Sequence, residues 1–274
     1  MTQRSKGGER KPISAAFSRS PVRQSADEHE AAPLLIDPLH CDAPVLRSAQ
    51  IAAVYIGQRV AGDFYEFLRV GPSRLLFVLL DIAGLRADTR DVLIAVQKTF
   101  RSLAPILFAG DAFNEITAMI ELCHEMNRTI LLRGVRSCPA FIGCYNEDLG
   151  TVCYGNAGHT PGLLRDRAGV SLLEATGLPL GLFSHTPQSA STCHLVPGSV
   201  LLVVSRGVVD ADREDAEGDD VEFGLDGAKQ NLQDATARSA RDLCLNMLRA
   251  TRQFTRTAQT RNDLTALALV RNSS

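Results

Sequence analysis

Short apolar runs bounded by glycine turns dominate this chain, and their order restricts its fold class. Residues 51–56, 64–70 and 75–81 are three such runs. Each is too short for a helix and is flanked by Gly-containing turns, so each reads as a strand. Helical spacing then takes over. Val92, Val96, Phe100 and Leu103 recur on one face, with Asp88 as the expected N-cap. Phe113, Ile116, Ile120, Cys123 and Met126 carry a second helix toward Leu132. Strand patterns resume at 138–145 and 151–154, joined by a hairpin-length loop ending in Gly150. Shorter runs follow at 162–165, 169–173, 192–196 and 199–204. Helices are expected over 225–232 and 241–254, the latter opened by a Ser239-x-x-Asp242 capping box. A final strand covers 263–270. Strands, two helices, many strands, two helices and a strand define an α+β chain whose helices cover the outer faces of antiparallel sheets.

A chain of 274 residues can bury a sizeable core without disulfide or metal staples. The formal net charge of -2 gives no footprint for nucleic acid or an anionic membrane. The 7 cysteines include no Cys-x-x-Cys pair and sit mostly in apolar runs. They read as small buried hydrophobes in a reducing compartment, not as a zinc or redox site. No apolar run approaches the ~18 residues of a membrane span. The basic N-terminus lacks the apolar stretch of a secretory signal, so the expected location is the cytoplasm. Residues 1–32 are polar and aperiodic and are expected to form a flexible tail, with a partner-docking arm as the alternative. Residues 33–48 read as an irregular lead-in and 49–271 as the folded domain.

Five stretches carry a further signal. They are Val60-Ala61-Gly62-Asp63-Phe64-Tyr65-Glu66-Phe67, Leu80-Asp81-Ile82-Ala83-Gly84, Tyr154-Gly155-Asn156-Ala157-Gly158-His159-Thr160-Pro161, Gly177-Leu178-Pro179-Leu180-Gly181-Leu182-Phe183 and Arg261-Asn262-Asp263-Leu264-Thr265. Singly, Asp63 and Asp81 could be turn residues or caps. In this order the five resemble the motifs of the SpoIIE-like branch of the PPM-type, metal-dependent Ser/Thr protein phosphatases. The resemblance covers residues 46–271. It implies a four-layer α-β-β-α sandwich of two antiparallel sheets flanked by helices. It also implies two Mn2+ or Mg2+ ions, which hard oxygen donors suit and which activate water and neutralise phosphoryl charge. By that resemblance the catalytic and metal residues are Asp63, Asp81 and Asp263, with the Ile82 carbonyl beside them. Asp81 would bridge both ions, Asp63 would hold water from outside, and Asp263 would ligate the first ion. His159 reads better as part of a tight turn, its imidazole satisfied locally, than as a general acid.

The chain departs from the family at Ser205-Arg206-Gly207-Val208, where an aspartate ligand is the norm and Arg206 stands instead. The exchange alters local charge by two units. Three readings follow. The guanidinium could take a metal's place and pair with the carboxylates. It could swing outward and leave a weakened site. Asp210 or Asp212 could supply the missing ligand. Gly84-Leu85-Arg86-Ala87-Asp88 is a second departure, where the family usually continues Lys-Gly. The resemblance thus implies a phosphoserine/phosphothreonine phosphatase acting on a phosphorylated regulator, such as an anti-anti-sigma-like protein in partner switching. The alternatives are a pseudophosphatase that binds such a partner and a weak enzyme retaining one metal. The expected partner is a phosphorylated protein regulator, without nucleic acid or membrane, and a homodimer stays open.

Overall fold

The computed structural model describes residues 42–56, 62–82, 86–110, 114–185, 187–214, 219–237, 239–255 and 263–273. The expected tail, most of the lead-in, Gly84, Leu85, Phe113 and Asn262 lie outside the described residues. The chain begins with β1 (Ala49–Ile56), β2 (Phe64–Val70) and β3 (Arg74–Leu80), then α1 (Arg86–Leu107) and α2 (Glu115–Leu131). Strands β4 (Ala140–Asn146), β5 (Thr151–Ala157), β6 (Gly162–Asp166), β7 (Gly169–Leu173), β8 (Ser191–His194) and β9 (Val200–Val204) follow. A single helical turn, α3 (Arg206–Val209), leads to a hairpin of β10 (Asp212–Glu214) and β11 (Asp220–Glu222). Helices α4 (Gly224–Asp234) and α5 (Ala240–Thr255) and strand β12 (Leu264–Arg271) complete the order.

The strands form two five-stranded antiparallel sheets, ordered β2-β3-β4-β5-β8 and β1-β12-β9-β6-β7. Strand β3 shows why its sequence is unbroken Leu, Phe and Val. Side chains alternate across a sheet, and both faces of this one are covered. Leu76, Val78 and Leu80 pack with Leu93, Phe100, Met119 and Leu122 of the α1–α2 layer. Leu75, Phe77 and Leu79 face the other sheet and share a core with Leu201, Val203, Leu267 and Leu269. The second sheet repeats the arrangement, with Leu202, Val204, Ala266 and Ala268 packed against Leu243, Met247 and Leu248 of α5. The result is the expected α-β-β-α sandwich. Gly143 on β4 is fixed by this packing, because a Cβ there would collide with the Phe77 ring.

Buried polar anchors set the layers relative to one another. Glu66 on β2 is fully buried. It accepts from Gln97 at 2.6 Å and from Arg101 at 3.1 Å, tying α1 to the sheet. Glu147, in the β4–β5 loop, accepts from Arg69 at 2.6 Å and from the Arg47 N–H at 2.6 Å. It thereby holds the chain ahead of β1. A buried carboxylate with several charge-assisted donors tolerates no loss of partners.

Several boundaries differ from the sequence reading. Helix α1 starts at Arg86, so Asp88 lies inside its first turn and is not its cap. Helix α2 starts at Glu115, where Asn114 Oδ1 accepts from the N–H groups of Ile116 and Thr117 at 2.9 and 3.2 Å. The expected cap of α5 is formed, with Asp242 N–H donating to Ser239 Oγ at 3.1 Å. Between Val204 and Leu225 the sequence reading placed no element, whereas α3 and the β10–β11 hairpin stand there. Four- and three-residue elements leave too short a pattern for periodicity to register.

Candidate active site

The ends of four strands bring the candidate residues together. The β2–β3 register pairs Phe64 with Leu80. One step further places Asp63 opposite Asp81, just past the sheet. Asp81 is pinned by its N–H, which donates to Pro139 O at 2.9 Å. The next residue, Ile82, is fully buried, and its N–H donates to Gly62 O at 3.4 Å. A side chain at position 62 would collide with the Ile82 carbonyl oxygen, so only glycine leaves that oxygen in place.

The other sheet contributes from β9 and β12. Their pairing runs past Val204, where the Ser205 N–H donates to Thr265 O at 2.9 Å. The Thr265 N–H donates to Ser205 Oγ at 3.0 Å. Thr265 Oγ1 then donates to Asp63 Oδ2 at 2.6 Å, a bond that crosses from one sheet to the other. Asp263, immediately before β12, is 2% exposed. Thr265 and Ser205 are site residues that the sequence reading quoted inside motifs without assigning them a role. Their hydroxyls, each two or one positions from an expected ligand, were the available signal.

The electrostatics are those of crowded carboxylates. Burial first, then the charges of Asp81 and Asp263, push the Asp63 carboxyl up to about 7, against hydrogen bonds from Thr265 and Ser205. Asp81 is also raised, chiefly by burial and further by Asp210 and Asp263, while Arg206 works in the opposite direction. Two raised carboxyls beside the charge of Asp263 concentrate negative charge at these strand ends.

Arg206 does not occupy that place. Its side chain is 71% exposed, and Nε donates to Asp210 Oδ2 at 2.7 Å. The expectation that the guanidinium pairs bidentately with Asp63, Asp81 and Asp263 is therefore corrected. The cause is the α3 turn, which sets residues 206 and 210 four apart on one helical face, the spacing of an ion pair. The same pair engages Asp210, the residue offered as a replacement ligand, and Asp212 lies in β10.

His159 is a turn residue as expected, but its imidazole is satisfied locally only at Nδ1, and the buried Nε2 has no hydrogen-bond partner among the described residues. Its N–H donates to Asn156 Oδ1 at 2.8 Å, and its Nδ1 lies 3.0 Å from Thr160 Oγ1. The Thr160 hydroxyl donates to the Val204 carbonyl. Burial pushes the imidazole down to about 4, so it is neutral at neutral pH and is not a general acid there. The described cysteines are unbridged thiols whose pKa values burial raises, to about 12 for Cys123 and about 11 for Cys153.

A divalent cation fits this donor set in part. The clustered charges of Asp63, Asp81 and Asp263 and the Ile82 carbonyl that Gly62 leaves clear suit a hard ion. Against that, no group of three His, Cys, Asp or Glu side chains among the described residues is arranged to hold a metal. The site is short by the carboxylate that position 206 lacks.

Two facing antiparallel sheets, helices on both outer faces and aspartates converging at the strand ends define a PPM-type phosphatase fold. The family description of Stage II sporulation protein E (SpoIIE) matches residues 72–272, and the chain belongs to that family. It is 23% identical to the phosphoserine phosphatase RsbP of Bacillus subtilis over 168 residues, which cover 59% of this chain and 40% of RsbP. The chain thus spans less than half of that relative. The RsbU and RsbW domains of Rv1364c from Mycobacterium tuberculosis superpose with a TM-score of 0.66 at 23% identity, covering 84% of this chain and 62% of that one. RsbX, solved in complex with magnesium, superposes with a TM-score of 0.59 at 13% identity, covering 84% of this chain and 99% of RsbX. No described helix is long and apolar enough to cross a membrane.

Proposed function

We propose that the chain is a metal-dependent phosphoserine/phosphothreonine protein phosphatase with a depleted metal site, acting on a phosphorylated signalling regulator in the cytoplasm. One observation carries this reading. Asp81 and Asp263 stand close enough to raise the Asp63 carboxyl, and Asp263 to raise that of Asp81, while Arg206 is exposed and paired with Asp210. Asp81 and Asp263, with the Ile82 carbonyl, would hold Mn2+ or Mg2+. A bound ion would supply Lewis-acid polarisation of the phosphoryl group and acidify water. The chain's own part is positional. Thr265 and Ser205 orient the Asp63 carboxyl, and the Pro139 carbonyl fixes the backbone at Asp81. Asp63, poised near 7, can take or release a proton at neutral pH. The similarity to RsbP, a phosphoserine phosphatase, supports phosphoserine as the group removed, and a regulator of the anti-anti-sigma kind is the substrate that the sequence resemblance implies.

A second reading, a pseudophosphatase that captures such a regulator, draws on the cation at position 206 and the incomplete donor set. Hydrolysis of a phosphoserine peptide separates the two. The enzyme reading expects slow turnover with millimolar Mn2+, abolished by EDTA and reduced at least about 100-fold by Asp81→Asn. Peptide binding with no turnover at any Mn2+ concentration would establish the pseudophosphatase instead.

A further inference from the structure

Next to the carboxylates lies an exposed surface that is both apolar and basic. Leu132 is 80% exposed, Phe183 56%, Leu178 43% and Leu182 40%. These are four of the ten exposed large hydrophobics among the described residues, and they fall in two short segments. The segments are stitched together. Asn127, near the end of α2, accepts from the Gly181 N–H at 2.7 Å and donates to Phe183 O at 3.1 Å. A Cβ at Gly181, which has φ +79°, would lie 2.6 Å from Ile130 and 2.7 Å from the Val135 carbonyl. The loop therefore seats directly on the C-terminal end of α2, the helix that Leu132 caps.

Backbone pairing through the interior links this segment to the site. Leu180 pairs with Cys138 through backbone bonds of 2.7 and 3.0 Å, and the neighbouring Pro139 carbonyl holds the Asp81 N–H. Its charge is also distinctive. Arg133 and Arg136 are exposed and have no carboxylate partner among the described residues, whereas Arg128 is paired with Glu125 at 3.1 Å. On a chain of net charge -2, these are two exposed cations one and four residues beyond Leu132. Exposed apolar clusters rimmed by charge mark protein interaction sites.

We propose that this surface docks the phosphorylated segment of a protein partner. Apolar residues beside the phosphoserine would seat on Leu132, Leu182 and Phe183, and an acidic flank would face Arg133 and Arg136. The inference rests on the reading of the chain as one that engages a phosphoprotein, and it adds which sequences that partner presents.

The test uses the full chain and two fluorescein-labelled phosphoserine peptides, one flanked by Leu and Glu, the other by Ser and Gly. Anisotropy in EDTA measures binding without turnover. The Leu/Glu probe should bind about tenfold tighter than the Ser/Gly probe. Leu132→Ser with Phe183→Ser, and separately Arg133→Glu with Arg136→Glu, should each remove about that tenfold preference. Only the preference lost with the arginines should have been salt-sensitive. Equal binding of both probes by the wild type, or an unchanged preference in both variants, overturns the proposal. So does a wild-type dimer in sedimentation that Phe183→Ser converts to monomer without altering probe binding, because the occupant is then a second copy. Aryl phosphate turnover in Mn2+ should be unchanged in these variants. Absence of that turnover in the wild type counts against the phosphatase reading and leaves the anisotropy result standing.

Discussion

Arg206→Asp should raise Mn2+-dependent hydrolysis of a phosphoserine peptide by about 10- to 100-fold over the wild type. The argument begins with position. Residue 206 follows Ser205, whose N–H and Oγ are both bonded to Thr265, two residues from Asp263. A short carboxylate there stands at the same strand ends as Asp81 and Asp263. The exchange also removes a cation whose field reaches Asp81. Both changes favour a divalent ion, since one adds a hard oxygen donor and the other removes repulsion. The wild-type side chain is 71% exposed, so its replacement leaves no cavity. The variant has a signature beyond activity. Without metal, Asp210 loses its partner and the site gains a further negative charge, so the variant should melt below the wild type in EDTA. With Mn2+ the order should reverse, because an ion that binds only the folded state stabilises it. Equal activity and equal melting of the two proteins in Mn2+ would show that position 206 has no bearing on the site.

Asp63→Asn should stabilise the metal-free protein at alkaline pH and have little effect in acid. Asp63 is raised from 3.8 to about 7 in the folded chain. Folded protein therefore binds more protons than unfolded protein between those values. The contribution of this group is fully present below about pH 4 and is lost as pH rises through 7. Asparagine cannot ionise and can still accept the Thr265 hydroxyl bond. At pH 8 in EDTA the variant should be more stable by on the order of 3 kcal/mol, about 5–10 °C in Tm. The gap should narrow as pH falls and largely close by about pH 4. Thermal melts of both proteins across pH 4 to 8 provide the check, and a pH-independent difference would mean that Asp63 stays ionised throughout. Saturating Mn2+ should erase the alkaline advantage of the variant, since a cation among the carboxylates does for the wild type what the neutral amide does for the variant.

The sequence made some features legible because they are repeated along the chain or held by the backbone. The two faces of β3 are both buried, so its apolar run admits little but a strand within a sandwich. Asp63 and Asp81 end paired runs, and antiparallel pairing of those runs is enough to set the two side by side. The direction of Arg206 was not legible in the same way. Its motif position indicated which residue was lost, but not where the replacement would point. That depends on the one-turn helix α3, which no periodicity reveals, and on Asp210 four residues along. The four-residue spacing of 206 and 210 is visible in the sequence, and only the helical turn makes it an ion pair. The cross-sheet bond from Thr265 to Asp63 joins residues 202 apart in sequence and needs the assembled sandwich to exist.

Asp63, Asp81 and Asp263 are proposed to retain a residual cation affinity, which Arg206 weakens without filling the site. Isothermal titration of EDTA-stripped wild-type protein with Mn2+ at pH 7, in buffers of different ionisation enthalpy, tests this most directly. The account predicts weak, saturable binding with release of about half a proton from Asp63, which lies near half protonation at that pH. It further predicts tighter binding and a higher stoichiometry for Arg206→Asp. No saturable binding by the wild type, with none gained by Arg206→Asp, would contradict it.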